Sequence, residues 1–117
     1  MVTPTEIRVS KDRKLLTVSF GAESFALPAE MLRVLSPSAE VQGHSPEQRV
    51  TVGGKRDVTI SRIEPTGNYA IRITFDDGHD TGIFTWSYLS TLGREREARW
   101  NGYLAELTEK GLQREPR

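Results

Sequence analysis

The stretch Tyr69-Ala70-Ile71-Arg72-Ile73-Thr74-Phe75 constrains the fold more than any other. Its apolar and polar residues alternate, so Tyr69, Ile71, Ile73 and Phe75 share one face of a strand. β-Branched and aromatic residues suit such a half-buried, pleated surface. Upstream, Asp57 to Glu64 alternates as well, with Val58, Ile60 and Arg62 on one face and Thr59, Ser61 and Ile63 on the other. Pro65-Thr66-Gly67-Asn68 separates the two runs and reads as a turn, so a hairpin is predicted. Downstream, Asp76-Asp77-Gly78-His79 is a second tight turn, because Asp-Gly suits positions that need positive φ. Asp80 to Thr85 is the strand that leaves it.

The N-terminal part repeats the pattern. Thr5–Ser10, Leu15–Phe20 and Ser24–Leu27 read as strands of an antiparallel meander, with the charged turn Lys11-Asp12-Arg13-Lys14 between the first two. Pro28 to Leu35 reads as a short helix, ended by Ser36-Pro37 because the residue before proline avoids helical dihedrals. Ser38 to Gln48 lacks periodicity and is expected to be a loop with one helical turn. Arg49 to Val52 is expected to open a strand, and Gly53-Gly54 to turn it. Trp86 to Gly93 reads as a helix capped by Thr85 and stopped by Gly93. Arg94 to Lys110 is a longer helix, with Trp100, Tyr103, Leu104 and Leu107 as its apolar stripe. Gly111 to Arg117 is expected to be a frayed polar tail. The whole predicts one small α+β domain over 1–117, mainly antiparallel sheet with short helices and a C-terminal helix.

Composition narrows the function classes. Among 117 residues, 16 basic residues balance 16 acidic ones, so no charge excess favours nucleic acid or an anionic membrane. Cysteine is absent, which excludes disulfides, thiolate metal ligands and a cysteine nucleophile. That fits a reducing, cytoplasmic setting. No apolar run approaches the roughly 20 residues of a membrane span, and no secretory h-region opens the chain.

Chemically capable side chains concentrate in Asp76 to Trp86. His79 stands among Asp76, Asp77 and Asp80, a donor set that suits iron, manganese or zinc. The same residues also make a good ligand-free hairpin turn. His44, in the polar loop, joins His79 if the loop folds over the hairpin, and two His with Asp77 or Asp80 would then form a metal site. Arg33, Ser36, Ser38, Glu40 and His44 mark a candidate binding surface on the loop side, with Trp86 on the hairpin side. Capping and turn formation also explain the serines, and a core anchor explains Trp86. No Gly-x-Ser-x-Gly elbow surrounds Ser36, Ser38 or Ser45, and Gly53-Gly54-Lys55 lacks the remainder of a phosphate loop.

Three stretches resemble a family of small bacterial proteins. They are Leu32-Arg33-Val34-Leu35-Ser36-Pro37-Ser38-Ala39-Glu40-Val41-Gln42-Gly43-His44, Gly67-Asn68-Tyr69-Ala70, and Asp76 to Trp86. The family, formerly a domain of unknown function, is named for its likeness to the N-terminal domain of gamma-butyrobetaine hydroxylase. The resemblance covers about residues 5–93 and leaves the C-terminal helix, about 94–110, largely outside it. It implies a small α+β domain with an antiparallel sheet.

In the hydroxylases the matching domain is not the catalytic one, and it holds a structural zinc through three cysteines and a histidine. That histidine sits in an Asp-Gly-His turn, as does His79. Their cysteines follow a Leu-Arg pair, where this chain has Ser36, Ser38 and Val41. A hydroxylase-type zinc site and hydroxylase activity are therefore not expected. The same domain also occurs fused to P-loop ATPases of iron–sulfur cluster assembly, which implies an adaptor with such a carrier ATPase as partner. The functional expectation is a non-catalytic binding or adaptor domain near iron–sulfur or metal metabolism. The alternative is an iron- or zinc-binding protein using His79, His44 and nearby Asp.

Overall fold

A computed structural model describes residues 3–43 and 49–116. Strands β1 (Glu6–Val9), β2 (Leu15–Phe20) and β3 (Glu23–Pro28) form an antiparallel sheet in that order. Helix α1 (Ala29–Val34) and the single turn α2 (Ala39–Gln42) follow. Strands β4 (Ile60–Thr66), β5 (Ala70–Phe75) and β6 (Gly82–Thr85) form a second antiparallel sheet. Helices α3 (Trp86–Arg94) and α4 (Arg96–Glu109) complete the chain. The predicted α+β class, the N-terminal meander, the hairpin and the C-terminal helix are all present.

One core joins the two sheets. Leu16, Val18 and Leu27 come from the first, and Ile60, Ile71, Ile73, Phe75 and Phe84 from the second. Met31 and Leu32 of α1, Leu89 and Leu92 of α3, and Tyr103 and Leu107 of α4 close it. Burying such side chains is worth roughly 1.5–3 kcal/mol each, so this cluster is the main stabilising term. The sheets are also stitched through Arg13, which adopts φ 62° in the β1–β2 turn. Its carbonyl accepts from Ile60 N at 2.9 Å and its guanidinium donates to Ile60 O at 3.0 Å.

Several local expectations change. Ile60 pairs with Phe75 but Arg62 pairs with Thr74, so Ser61 is a bulge residue. The bulge shifts the alternation by one. Arg62 turns outward and Ile63 stands opposite Ile73 on the core side, the reverse of the predicted faces. Pro65 and Thr66 belong to β4 and not to the turn, which edge position allows because Pro65 need donate no ladder bond. Tyr69 is exposed because it lies in the turn, one residue before β5.

Residues 49–52 form no strand. Instead Val52 O accepts from Tyr103 Oη at 2.6 Å, and Arg49 grips Glu106 of α4. Helix α3 runs one residue past Gly93. The glycine serves packing there, since a Cβ on it would stand 2.2 Å from the Phe25 ring.

The segment expected as a frayed tail has partners as far as Glu115, whose Oε1 accepts from Arg56 Nη1 at 2.8 Å. Gly54 N donates to Gln113 O at 2.8 Å and Arg56 N to Arg114 O at 3.0 Å. Arg114 also grips the buried Glu30 carboxylate with two bonds of 2.7 and 2.8 Å and lies 5.3 Å from the Trp100 ring centre. Removing one partner of a buried pair strands the other charge. With the guanidinium more than one-third exposed, Arg114→Ala is expected to lower unfolding free energy by about 2 kcal/mol in urea titrations, and a change below about 0.5 kcal/mol would contradict this anchoring.

Candidate functional site

The fold brings the α1–α2 connection onto the β5–β6 turn. Pro37 ends α1 and turns the chain so that Ser36 and Ser38 point inward, where they are 0% and 6% exposed. His79 closes the opposite turn, with only 2% of its side chain exposed. Ser36 Oγ lies 2.9 Å from His79 Nε2, and Ser38 Oγ lies 3.4 Å from it. On the other edge of the ring, Nδ1 is 3.1 Å from Glu40 Oε2. Glu40 itself is largely in solvent.

Chemistry assigns the tautomer. Glu40 accepts, so Nδ1 carries the proton, and Nε2 accepts from the Ser36 hydroxyl. Burial pushes the imidazole pKa down and the Arg33 charge adds to that, outweighing Glu40 and Asp77. His79 is therefore neutral at neutral pH. Gly82 makes the approach feasible, because a Cβ there would sit 2.4 Å from Ser36 Oγ. Gln42 Nε2 holds Ser36 O at 2.9 Å, and Tyr88 Oη holds Leu35 O at 2.5 Å, so the connection is fixed from both sides.

A second clip lies beside the first. Asp77 Oδ2 accepts from Arg33 Nε at 2.8 Å and from Lys55 Nζ at 2.6 Å. Its Oδ1 accepts from His79 N at 3.0 Å, the local bond that shapes the turn. Its side chain is 20% exposed, although the turn as a whole is open to water. Burial pushes this carboxyl up, but Lys55, the His79 N–H and Arg33 outweigh it and hold the pKa at about 2. Among the described residues, Arg33 Nη1 is buried without a hydrogen-bond partner.

Of the residues singled out in the sequence, Arg33, Ser36, Ser38, Glu40, Asp77 and His79 gather at this point. Asp76 stays at the rim, where Oδ1 accepts from Thr59 N at 3.0 Å. Asp80 is exposed. Trp86 lies at the other end of the β5–β6 hairpin, in the core, with its indole N–H donating to Asn68 O at 2.8 Å. His44 lies outside the described residues. Among those described, no three His, Cys, Asp or Glu side chains converge in a way that could hold a metal ion. Lys55 and Gln42 were not expected at the site, since neither lies in a spacing that marks a partner. Gly82 was visible only as part of the turn-rich stretch.

Fold and site together define a small α+β domain in which a Ser–His–Glu network around a buried imidazole ties a helix–turn connection to a hairpin. The gamma-butyrobetaine hydroxylase-like, N-terminal family model matches residues 7–90, and the chain belongs to that family. Two proteins solved by NMR in solution are similar to it. One is 48% identical, with TM-score 0.86, over 100% of this chain and 93% of its own. The other is 41% identical, with TM-score 0.84, over 99% of this chain and 87% of its own. A crystal structure from Acidithiobacillus ferrooxidans, a protein with unknown function of the DUF971 family, is 36% identical with TM-score 0.64 over 78% of this chain and 92% of its own. No curated protein matches the chain. No helix among the described residues is long and apolar enough to cross a membrane.

The zinc that the family resemblance implies can be tested against these residues. They do not fit it. Serine hydroxyls are protonated at neutral pH and are poor zinc donors, and Val41, buried beside them in the chain, has no lone pair to give. Both ring nitrogens of His79 are already engaged.

The Asp77 clip has a defined pH signature. Its pKa is depressed from 3.8 to about 2, so its stabilisation is present above about pH 4 and fades as pH falls towards 2. At roughly 1.4 kcal/mol per pKa unit, reduced for partial exposure, it is worth roughly 2 kcal/mol. Asp77→Asn is expected to lower unfolding free energy by that amount at pH 7, with the gap narrowing at pH 3. An equal gap at both pH values would contradict the assignment.

Proposed function

We propose that the chain is a non-catalytic binding or adaptor domain whose working surface is the α1–α2 connection where it meets the β5–β6 turn. One observation carries the reading. The Ser36–His79 contact joins positions 43 residues apart and fixes two loop-centred stretches as one rigid surface, with Glu40, Asp76 and Asp80 at its edge. Binding residues sit disproportionately on loops held by a rigid scaffold. Preorganisation of this kind lowers the ordering cost of association.

Family resemblance supplies the partner class by analogy: a P-loop ATPase that carries iron–sulfur clusters. A cytoplasmic setting follows from that partner and from the cysteine-free composition. Asp80→Lys reverses an exposed charge on the surface without touching the buried network. In affinity capture against such an ATPase, the unmodified chain is expected to retain it and the variant to lose it at least tenfold. Equal retention by both chains, or by neither, would count against this surface.

A further inference from the structure

The site geometry points to a metal-free replacement of a metal clamp: we infer that Ser36, Ser38, His79 and Glu40 close by hydrogen bonds a junction whose backbone is still shaped for a thiolate–imidazole ion site. The inference concerns how the junction is held and stands apart from the partner reading.

Two spacings carry it. Ligands around a tetrahedral zinc lie 2.0–2.3 Å from the ion, which puts a nitrogen and a sulfur about 3.5 Å apart. Ser38 Oγ stands 3.4 Å from His79 Nε2, close to that separation. Ser36 Oγ has closed to 2.9 Å, a direct hydrogen bond that leaves no room for an ion between the two atoms. The ring nitrogen that would face the ion therefore spends its lone pair on a hydroxyl. Its other nitrogen donates to Glu40, the kind of carboxylate partner that orients a ligating histidine. The orienting half of a metal site is thus in place, and the donor half is not.

The surroundings fit a closed structural junction better than a catalytic one. The same atoms also have the order of a Ser–His–Glu relay. However, Ser36 is fully buried, so no substrate carbonyl reaches its oxygen. Gly82 supplies the remaining space, since a side chain there would collide with the Ser36 hydroxyl. Replacing both hydroxyl oxygens by sulfur would place two thiolates beside one imidazole at this junction.

The test has two arms on untagged protein. In the first, the unmodified chain is dialysed with and without EDTA, then measured for metal content and thermal unfolding. Less than about 0.1 equivalent of metal and an unchanged Tm are expected. In the second, the reduced Ser36→Cys/Ser38→Cys chain is titrated with Co(II). One equivalent is expected to produce the thiolate charge-transfer and tetrahedral bands, and to raise Tm in an EDTA-reversible way. An unmodified chain that holds about one equivalent of metal and loses Tm in EDTA would overturn the inference. So would a folded double variant that leaves the cobalt spectrum unchanged. Should the double variant fail to fold, the EDTA arm decides alone.

Discussion

The buried imidazole of His79 is the contact on which the rest of the site depends. A polar ring inside an apolar core costs several kcal/mol unless its nitrogens are satisfied. Here both are, one by Ser36 and one by Glu40. The partners come from one segment and the ring from another, so satisfying the ring forces the two segments together. Apolar packing of Phe75, Phe84 and Leu32 brings them close, but packing tolerates small slides. The hydrogen bonds select one register, because a hydroxyl displaced by 1 Å would leave a buried lone pair unmet.

Charge reinforces the same junction from its outer edge. Asp77 lies between Arg33 of α1 and Lys55 of the segment before β4, while its other oxygen holds the His79 backbone. Three parts of the chain thus meet at one carboxylate. The segment before β4 is in turn held by Gln113 and Arg114 from beyond α4. Glu30 of α1 accepts from that same Arg114. The C-terminal helix therefore serves the site indirectly, by securing the strand of contacts that ends at Lys55.

Much of the fold was legible because it depends on local periodicity. Alternation in Ala70–Phe75, the Asp-Gly turn and the Thr85 cap are read within a few residues of each other. The bulge at Ser61 was not, since Thr59 to Ile63 alternate whether or not a residue is skipped in pairing. Edge position, which admits Pro65 into β4, is a tertiary fact. The site was legible as residue types and illegible as geometry. Arg33, Ser36, Ser38, Glu40 and His79 were singled out, but only topology decides that a serine 43 residues away supplies the partner of His79. Lys55 stood out only within an incomplete phosphate-loop pattern and not as a partner of Asp77, because a single lysine in a Gly-rich turn suits solvent as well as a carboxylate. Trp86 drew attention by its aromaticity, yet its indole N–H needed only the Asn68 carbonyl and its ring only the core.

A double-mutant cycle between Ser36 and His79 tests the central claim most directly. Unfolding free energies of the unmodified chain, Ser36→Ala, His79→Ala and the double variant isolate the energy that belongs to the pair. A coupling of about 1–2 kcal/mol is expected for a buried bond whose loss strands its partner. Effects that simply add, within about 0.3 kcal/mol, would mean that the imidazole does not hold the two segments together.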